Sequence, residues 1–259
     1  MSEFEFKVFD DTFRIDKLLD DQGTGYVDRD YATDAMNCYS FCSAQNIKSY
    51  THAELVEIIA EKTAKKTWIR DKCDRVGSKV KNQSRSNYCW NHAPVRGVEC
   101  NLVLQGGVAH TLSAFWGAAT IKNGRNQGGW GLQAVKFMVE NGVPLESFHK
   151  PMDFSVDRSP ETLANAKLHQ IIGWEDVDPS DQYAIFTRIA LDIPVTLGIP
   201  AMGHEMLGTF LVVIGGRIYI GCDNSWGASD GDNGRRVCTG RNANYSEAGC
   251  IISAEPSKN

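Results

Sequence analysis

With 259 residues, 42% of them apolar and 10% aromatic, the chain has enough material for one large or two modest globular domains. A net charge of -5, with Lys and Arg dense only in residues 61–66 and 233–241, excludes the electrostatic footprint of a nucleic-acid-binding protein. No apolar run approaches the roughly 18 residues that cross a bilayer, and the acidic opening MSEFEFKVFDD carries no export signal, so an intracellular protein with reduced thiols is expected.

Residues 3–14 alternate, with Phe4, Phe6 and Val8 on one side, which predicts a strand; residues 20–28, DDQGTGYVD, read as a loop. Thr51 followed by Glu54 forms a capping-box start, and Leu55, Ile58 and Ile59 make the apolar stripe of a helix ending near Lys66. A second helix is predicted from Cys89 to about Val108. Pro94 removes an N–H inside it at a cost of about 3 kcal/mol, so it is expected to kink or start late. Residues 131–142 read as a cleaner helix stopped by Asn141 and Gly142, and residues 179–192 as another. Three β-rich runs follow, at residues 194–199, 209–215 and 217–226. Helices first and strands later give an α+β plan of two lobes.

Of the eight cysteines, Cys38 and Cys42 are closely spaced but lack a second Cys/His pair, so neither a metal nor any other cofactor is expected. Cys89 stands after a polar loop at the start of a helix, where a thiolate is favoured. Gln83, six residues before it, can offer an amide to an oxyanion. His204 precedes one strand and Asn224 ends the next, so neighbouring strands would bring them together, with Trp226 shielding the pair. The plain alternative is that Cys89 is one more buried, inert thiol.

The segments KNQSRSNYCW, NQGGWGLQAVKFMVENGV, GHEML and CDNSWGASDGDNG, in this order, resemble the landmark segments of papain-like cysteine peptidases. The resemblance implies a two-lobe fold, helical on the left (about 80–175) and β-rich on the right (about 176–255), within a domain of residues 67–259. It implies Cys89 as nucleophile, His204 as base and acid, Asn224 as the residue orienting His204, and Gln83 as oxyanion donor. Gly128 and Gly129 match the glycines that hydrogen-bond the backbone of a peptide or protein substrate.

The chain also departs from the family pattern. Asn87 and Tyr88 replace a small pair before the nucleophile and are expected to crowd the neighbouring subsite. Ser86 and Asn126 stand where the secreted members have a disulfide, an absence shared with the bleomycin-hydrolase-like branch. Glu205 after His204 is expected to face the other side of its strand, His92 is set aside as a base, and Asp223 and Asp230 read as ordinary loop acids. Residues 1–66 read as an inhibitory pro-segment or a docking arm through which the protein joins an assembly.

The function expected is that of an intracellular peptidase or amidase working through a thioester on Cys89, with no membrane or nucleic-acid partner. Two readings compete with it: a structural component of an assembly such as a virus particle, and a transferase using the same thioester.

Overall fold

The structure, a computed structural model, describes residues 6–13, 22–29 and 47–254. Phe4, Cys38 and Cys42 lie outside the described residues, as do the ends of the predicted first strand. What remains of that strand is β1 (Val8–Phe9). It pairs in parallel with Val237 and Cys238, and its Phe9 side chain is wholly buried, an anchor of about 1.5–3 kcal/mol.

Helix α1 (His52–Lys65) starts at the predicted capping box and stops at Lys66, which adopts a left-handed conformation. A short α2 (Ile69–Arg75) follows. The central α3 spans Cys89–Gly106, and it does not start late: Cys89 is its first residue, with Pro94 inside. Every residue from Cys89 to Val103 is buried, so tertiary packing outweighs the bond lost at Pro94. Gly97 is required there, because a Cβ would lie 2.4 Å from Ile251 Cδ1 on the crossing strand.

Helices α4 (Ala114–Lys122), α5 (Gly131–Asn141), α6 (Pro160–Ala166) and α7 (Gln182–Ala190) complete the helical set, α5 and α7 matching two of the predicted helices. The remaining strands are β2 (Ile171–Asp176), β3 (Val195–Ile199), β4 (His204–Ile214), β5 (Arg217–Asp223), β6 (Arg235–Cys238) and β7 (Glu247–Ala254). They form one sheet with β1, in the order β1-β6-β5-β4-β3-β7-β2.

Beside a small apolar cluster that joins Ile69 and Cys73 of α2 to α3 and Leu207 of β4, two larger apolar cores flank this arrangement. One joins Leu55 and Ile59 of α1, the inner face of α7 and strands β3 to β6 around Phe210. The other joins α3, α4 and α5 around Trp90, Phe115 and Leu132, and takes Ile171, Ile251 and Ala254 from β2 and β7. Strand β7 therefore serves both cores, and α3 lies across the sheet with Cys89 at its N-terminal end.

Candidate active site

The loop that presents Cys89 is held from several sides. Lys81 Nζ lies 2.5 Å from both the Leu112 carbonyl and Glu99 Oε1, the Gln83 N–H donates to the Ser225 carbonyl at 2.7 Å, and the Ser225 hydroxyl donates to Gln83 Oε1. These bonds orient the Gln83 Nε2 amide. Trp90 Nε1 donates to the carbonyls of Asn87 and Gln127, tying the start of α3 to the opposite rim.

Tyr88 does not crowd the cleft as expected. It is buried against Trp90, Phe115 and Phe154, with its hydroxyl donating to the Arg125 carbonyl at 2.9 Å, because that aromatic core has room for a large ring. Beside it, the Asn87 N–H donates to Asn126 Oδ1 at 2.6 Å and Asn87 Nδ2 to the Asn126 carbonyl at 3.2 Å. Hydrogen bonds thus join the two segments that a disulfide links in the secreted members that the chain resembles. No disulfide is found among the six described cysteines.

Antiparallel pairing sets Leu207 of β4 opposite Asp223 of β5, which brings His204, the first residue of β4, to Asn224, the first after β5. The Nε2–H of His204 donates to Asn224 Oδ1 at 2.7 Å, and the Trp226 ring stacks on the imidazole at 4.6 Å. The other ring nitrogen, Nδ1, is buried and has no hydrogen-bond partner. Burial lowers the His204 pKa to about 4, against the opposing effects of the Asn224 hydrogen bond and the Asp230 charge.

Cys89 is wholly buried. Burial and the nearby Glu205 carboxyl push its thiol well above the ordinary range, while backbone N–H groups of Glu205, Trp90 and Tyr26 act in the opposite direction. The sulfur makes no hydrogen bond to Nδ1 of the His204 ring. His92 is neither base nor competitor: its Nδ1 bonds to the Tyr88 carbonyl, its ring meets Phe115 edge-on, and burial lowers its pKa to about 3. Glu205 lies on the far face of β4, as alternation requires, where it accepts from the Thr196 hydroxyl.

A segment of the chain itself fills the cleft. The predicted loop at residues 20–28 is described from Gln22 on, and it crosses between the lobes as an extended arm. The Gly23 carbonyl accepts from Gln83 Nε2 at 2.7 Å and from Trp226 Nε1 at 3.0 Å. The Gly25 carbonyl accepts from the Gly129 N–H, and the Val27 N–H donates to the Gly129 carbonyl, both at 2.9 Å, in a parallel bridge. The Tyr26 ring enters a pocket at Gly198, where a Cβ would lie 2.3 Å from Tyr26 Cζ, and its hydroxyl lies 2.7 Å from Ser246 Oγ. Gly128 lies against the same arm, since a Cβ there would be 2.5 Å from the Gly25 carbonyl oxygen.

Cys89, His204, Asn224, Gln83, Gly129 and Trp226 thus share one cleft. Sequence reasoning missed or failed to locate three features around it. The first is the arm, expected only as a pro-segment or docking arm somewhere in residues 1–66, although Gly23 and Gly25 flanking a residue ahead of Tyr26 were a signal of close backbone approach. The second is a buried carboxyl pair under α5: Glu247 accepts from the N–H groups of Gly131 and Leu132, and Glu205 lies near it. The third corrects the reading of Asp223 and Asp230 as loop acids. Asp223 sits buried between Arg96 and Arg235, and Asp230 accepts from Asn224 Nδ2 at 2.7 Å. No group of three or more metal-ligating side chains occurs among the described residues.

No family model matches the chain. It is 32% identical over 199 residues to the oryzain beta chain of Oryza sativa subsp. japonica, covering 67% of this chain and 42% of that protein. It is 25% identical over 199 residues to zingipain-1 of Zingiber officinale, covering 69% and 89%. Among solved structures, xylellain, a cysteine protease from Xylella fastidiosa, superposes with a TM-score of 0.61 at 13% identity, covering 90% of this chain and 96% of that one. The last likeness shows the fold, and the 32% identity over two thirds of the chain shows the family: the chain belongs to the papain-like cysteine peptidase family.

Proposed function

We propose that the protein is a cysteine-type peptidase acting on peptide or protein substrates, and that residues 22–29 hold it inactive as an intramolecular pro-segment. The observation that carries this reading is the arm itself. It places a carbonyl on the Gln83 amide and pairs with both polar groups of the Gly129 backbone, the groups a bound peptide needs.

In the working cycle the arm leaves, and the Cys89 thiol gives its proton to the free Nδ1 of His204. The thiolate attacks the scissile carbonyl, and the oxyanion so formed accepts from Gln83 Nε2. Collapse of the tetrahedral species breaks the C–N bond, His204 returns its proton to the leaving amine, and a thioester remains on Cys89. Water, deprotonated by His204, then attacks the thioester carbonyl, and the thiol leaves with a carboxylic acid released. Asn224 keeps Nε2–H directed away from the reacting atoms, so that Nδ1 is the nitrogen that cycles its proton.

A second reading, a silent scaffold, draws on the full burial of Cys89 and the unpartnered Nδ1. Gly25→Val decides between them. Gly25 has φ of +151°, and a Cβ there would lie 2.2 Å from the Asn87 carbonyl oxygen, so a side chain expels the arm without touching the catalytic groups. The expected outcome on a fluorogenic peptide library is a rise in kcat/KM of about tenfold or more over the native chain, abolished by adding Cys89→Ala, as relief of an intramolecular competitor requires. A displaced arm with no turnover on any peptide would leave the scaffold reading standing.

A further inference from the structure

An Asn side chain presents an oxygen acceptor on one side and an NH₂ donor on the other, in nearly the same shape. If Asn224 were turned over, its NH₂ would face the Nε2–H of His204, and the ring would have to take the other tautomer. What prevents this lies on the far side of the amide. Asn224 Nδ2 donates to Asp230 Oδ2 at 2.7 Å, while Asn224 Oδ1 also accepts from the Ser225 N–H at 2.8 Å. Asp230 is an acceptor held in place by a charge: Arg236 Nη2 lies 2.7 Å from its Oδ1, and Arg236 Nε lies 3.0 and 3.1 Å from its two oxygens. The carboxylate is nearly sealed from water, its side chain 4% exposed. The turn that carries it is fixed by the Gly234 N–H on the Asp230 carbonyl and the Asn224 N–H on the Gly234 carbonyl.

We infer that Asp230, backed by Arg236, is a positioning residue of the catalytic site: it locks the orientation of Asn224 and delivers one negative charge, at one remove, to the His204 ring. The chain of contacts runs His204, Asn224, Asp230, Arg236. It supplies an acidic end to a site whose own orienting residue is neutral, so the imidazolium formed during catalysis gains a partner that Asn224 alone does not provide. This rests on the peptidase reading for its catalytic meaning, but the geometry and its test do not.

The other groups near the ring do not duplicate this role. From α3 come the Cys89 thiol and His92, the latter turned to the Tyr88 carbonyl. Asp223 faces Arg96, Arg235 and Thr209, and Lys81 is taken by Glu99. Glu205, on the ring's own strand, faces Thr196 and Gly131 on the opposite side. From the arm, Tyr26 sits near Cys89 through its backbone, and Arg29 pairs with Asp176.

The test is NMR titration of ring-labelled histidine in the full-length protein, with His204→Gln assigning the signal, so that it does not depend on turnover. In Asp230→Asn the new side-chain oxygen can still accept from Asn224, but the charge is gone. The His204 midpoint is expected to fall by about half a unit or more, with the Nε2–H tautomer retained. In Arg236→Gln the Asp230 charge loses its neutralising partner, and the midpoint is expected to rise. Loosening of the site would carry both variants upward together, towards the value of a solvated imidazole. A midpoint unchanged in both variants, or a shift in the same direction in both, overturns the inference; should Asp230→Asn not fold, an unchanged midpoint in Arg236→Gln does so alone. In the Gly25→Val background, the alkaline limb of kcat/KM should move to lower pH in Asp230→Asn. If that background never turns over, the peptidase reading fails while the titration still decides the role of Asp230.

Discussion

At the scale of single residues, the site is a set of side chains whose partners matter more than their identities. Gln83 has its oxygen fixed by Ser225 and its amide NH₂ shared between the carbonyls of Ser86 and Gly23. Only the second of these leaves with the arm, so the donor stays aimed. In the Gly25→Val background, Gln83→Ala is expected to lower kcat by about 100- to 1000-fold with KM little changed, as for other oxyanion donors; a loss confined to KM would show that the amide only binds substrate. Cys89, Gln83, His204 and Asn224 could be picked out as candidates in the sequence because each sits in a short motif whose neighbours set its surroundings. Asp230 was not, because an acid in a glycine-rich turn reads as solvated. Only the fold turns it inward, where the side chain of Arg236, six residues on, meets it.

At the scale of elements, the two cores are stitched by buried ions as well as by apolar contact. Asp223 at the end of β5 accepts from Arg96 Nε of α3 at 2.9 Å and from Arg235 Nε of β6 at 2.8 Å, and Arg235 reaches on to Asp74 of α2. These arginines hold the Asp223 carboxyl at about 2, below the usual carboxylate range despite the cost of burial. Asp223→Ala leaves the buried guanidinium of Arg96 without its closest acid and should cost about 3–5 kcal/mol in denaturant unfolding. A loss below 1 kcal/mol would mean that water replaces the carboxylate. Helices α1, α3, α5 and α7 and the β4–β5 pair were readable from pattern and caps, whereas the shorter α2, α4 and α6 were not. The stitching was not, since Arg96 lies in a helix with no polar face to mark it, buried on every side. The same burial explains why the expected disturbance at Pro94 did not delay the helix.

For the molecule as a whole, stability against pH is set by buried groups that oppose each other. His204 and His92 have pKa values lowered to about 4 and 3, so below pH 6.5 the unfolded chain binds protons that the native one refuses, and stability falls as pH falls. Glu205 is pushed up by burial and by the neighbouring Glu247, and burial raises Glu247 to about 7. The native chain therefore keeps protons that the unfolded one releases above pH 4.5, and stability from this pair falls as pH rises through that range. Two groups of each kind nearly cancel, so unfolding free energy should be close to flat between pH 4.5 and 6.5. Glu205→Gln removes one of the opposing protons, and its stability should rise with pH there by about 1.4 kcal/mol per unit at most; a native-like flat profile in that variant would show that Glu205 is ionised in the folded protein.

The arm has a further consequence, which is one of thermodynamic order. Gly23 to Val27 bind the cleft as part of the same chain, and β1, on the N-terminal side of the arm, is separately fastened to β6. On the proposed reading, inhibition is therefore unimolecular: it has no dependence on protein concentration and no dissociation on dilution. An excised arm peptide must be present at roughly millimolar levels to match what the tether supplies. Because the segment is held from both sides, one break in the backbone turns a loop into a tail without setting it free, and switching on becomes a two-event process whose first event is silent.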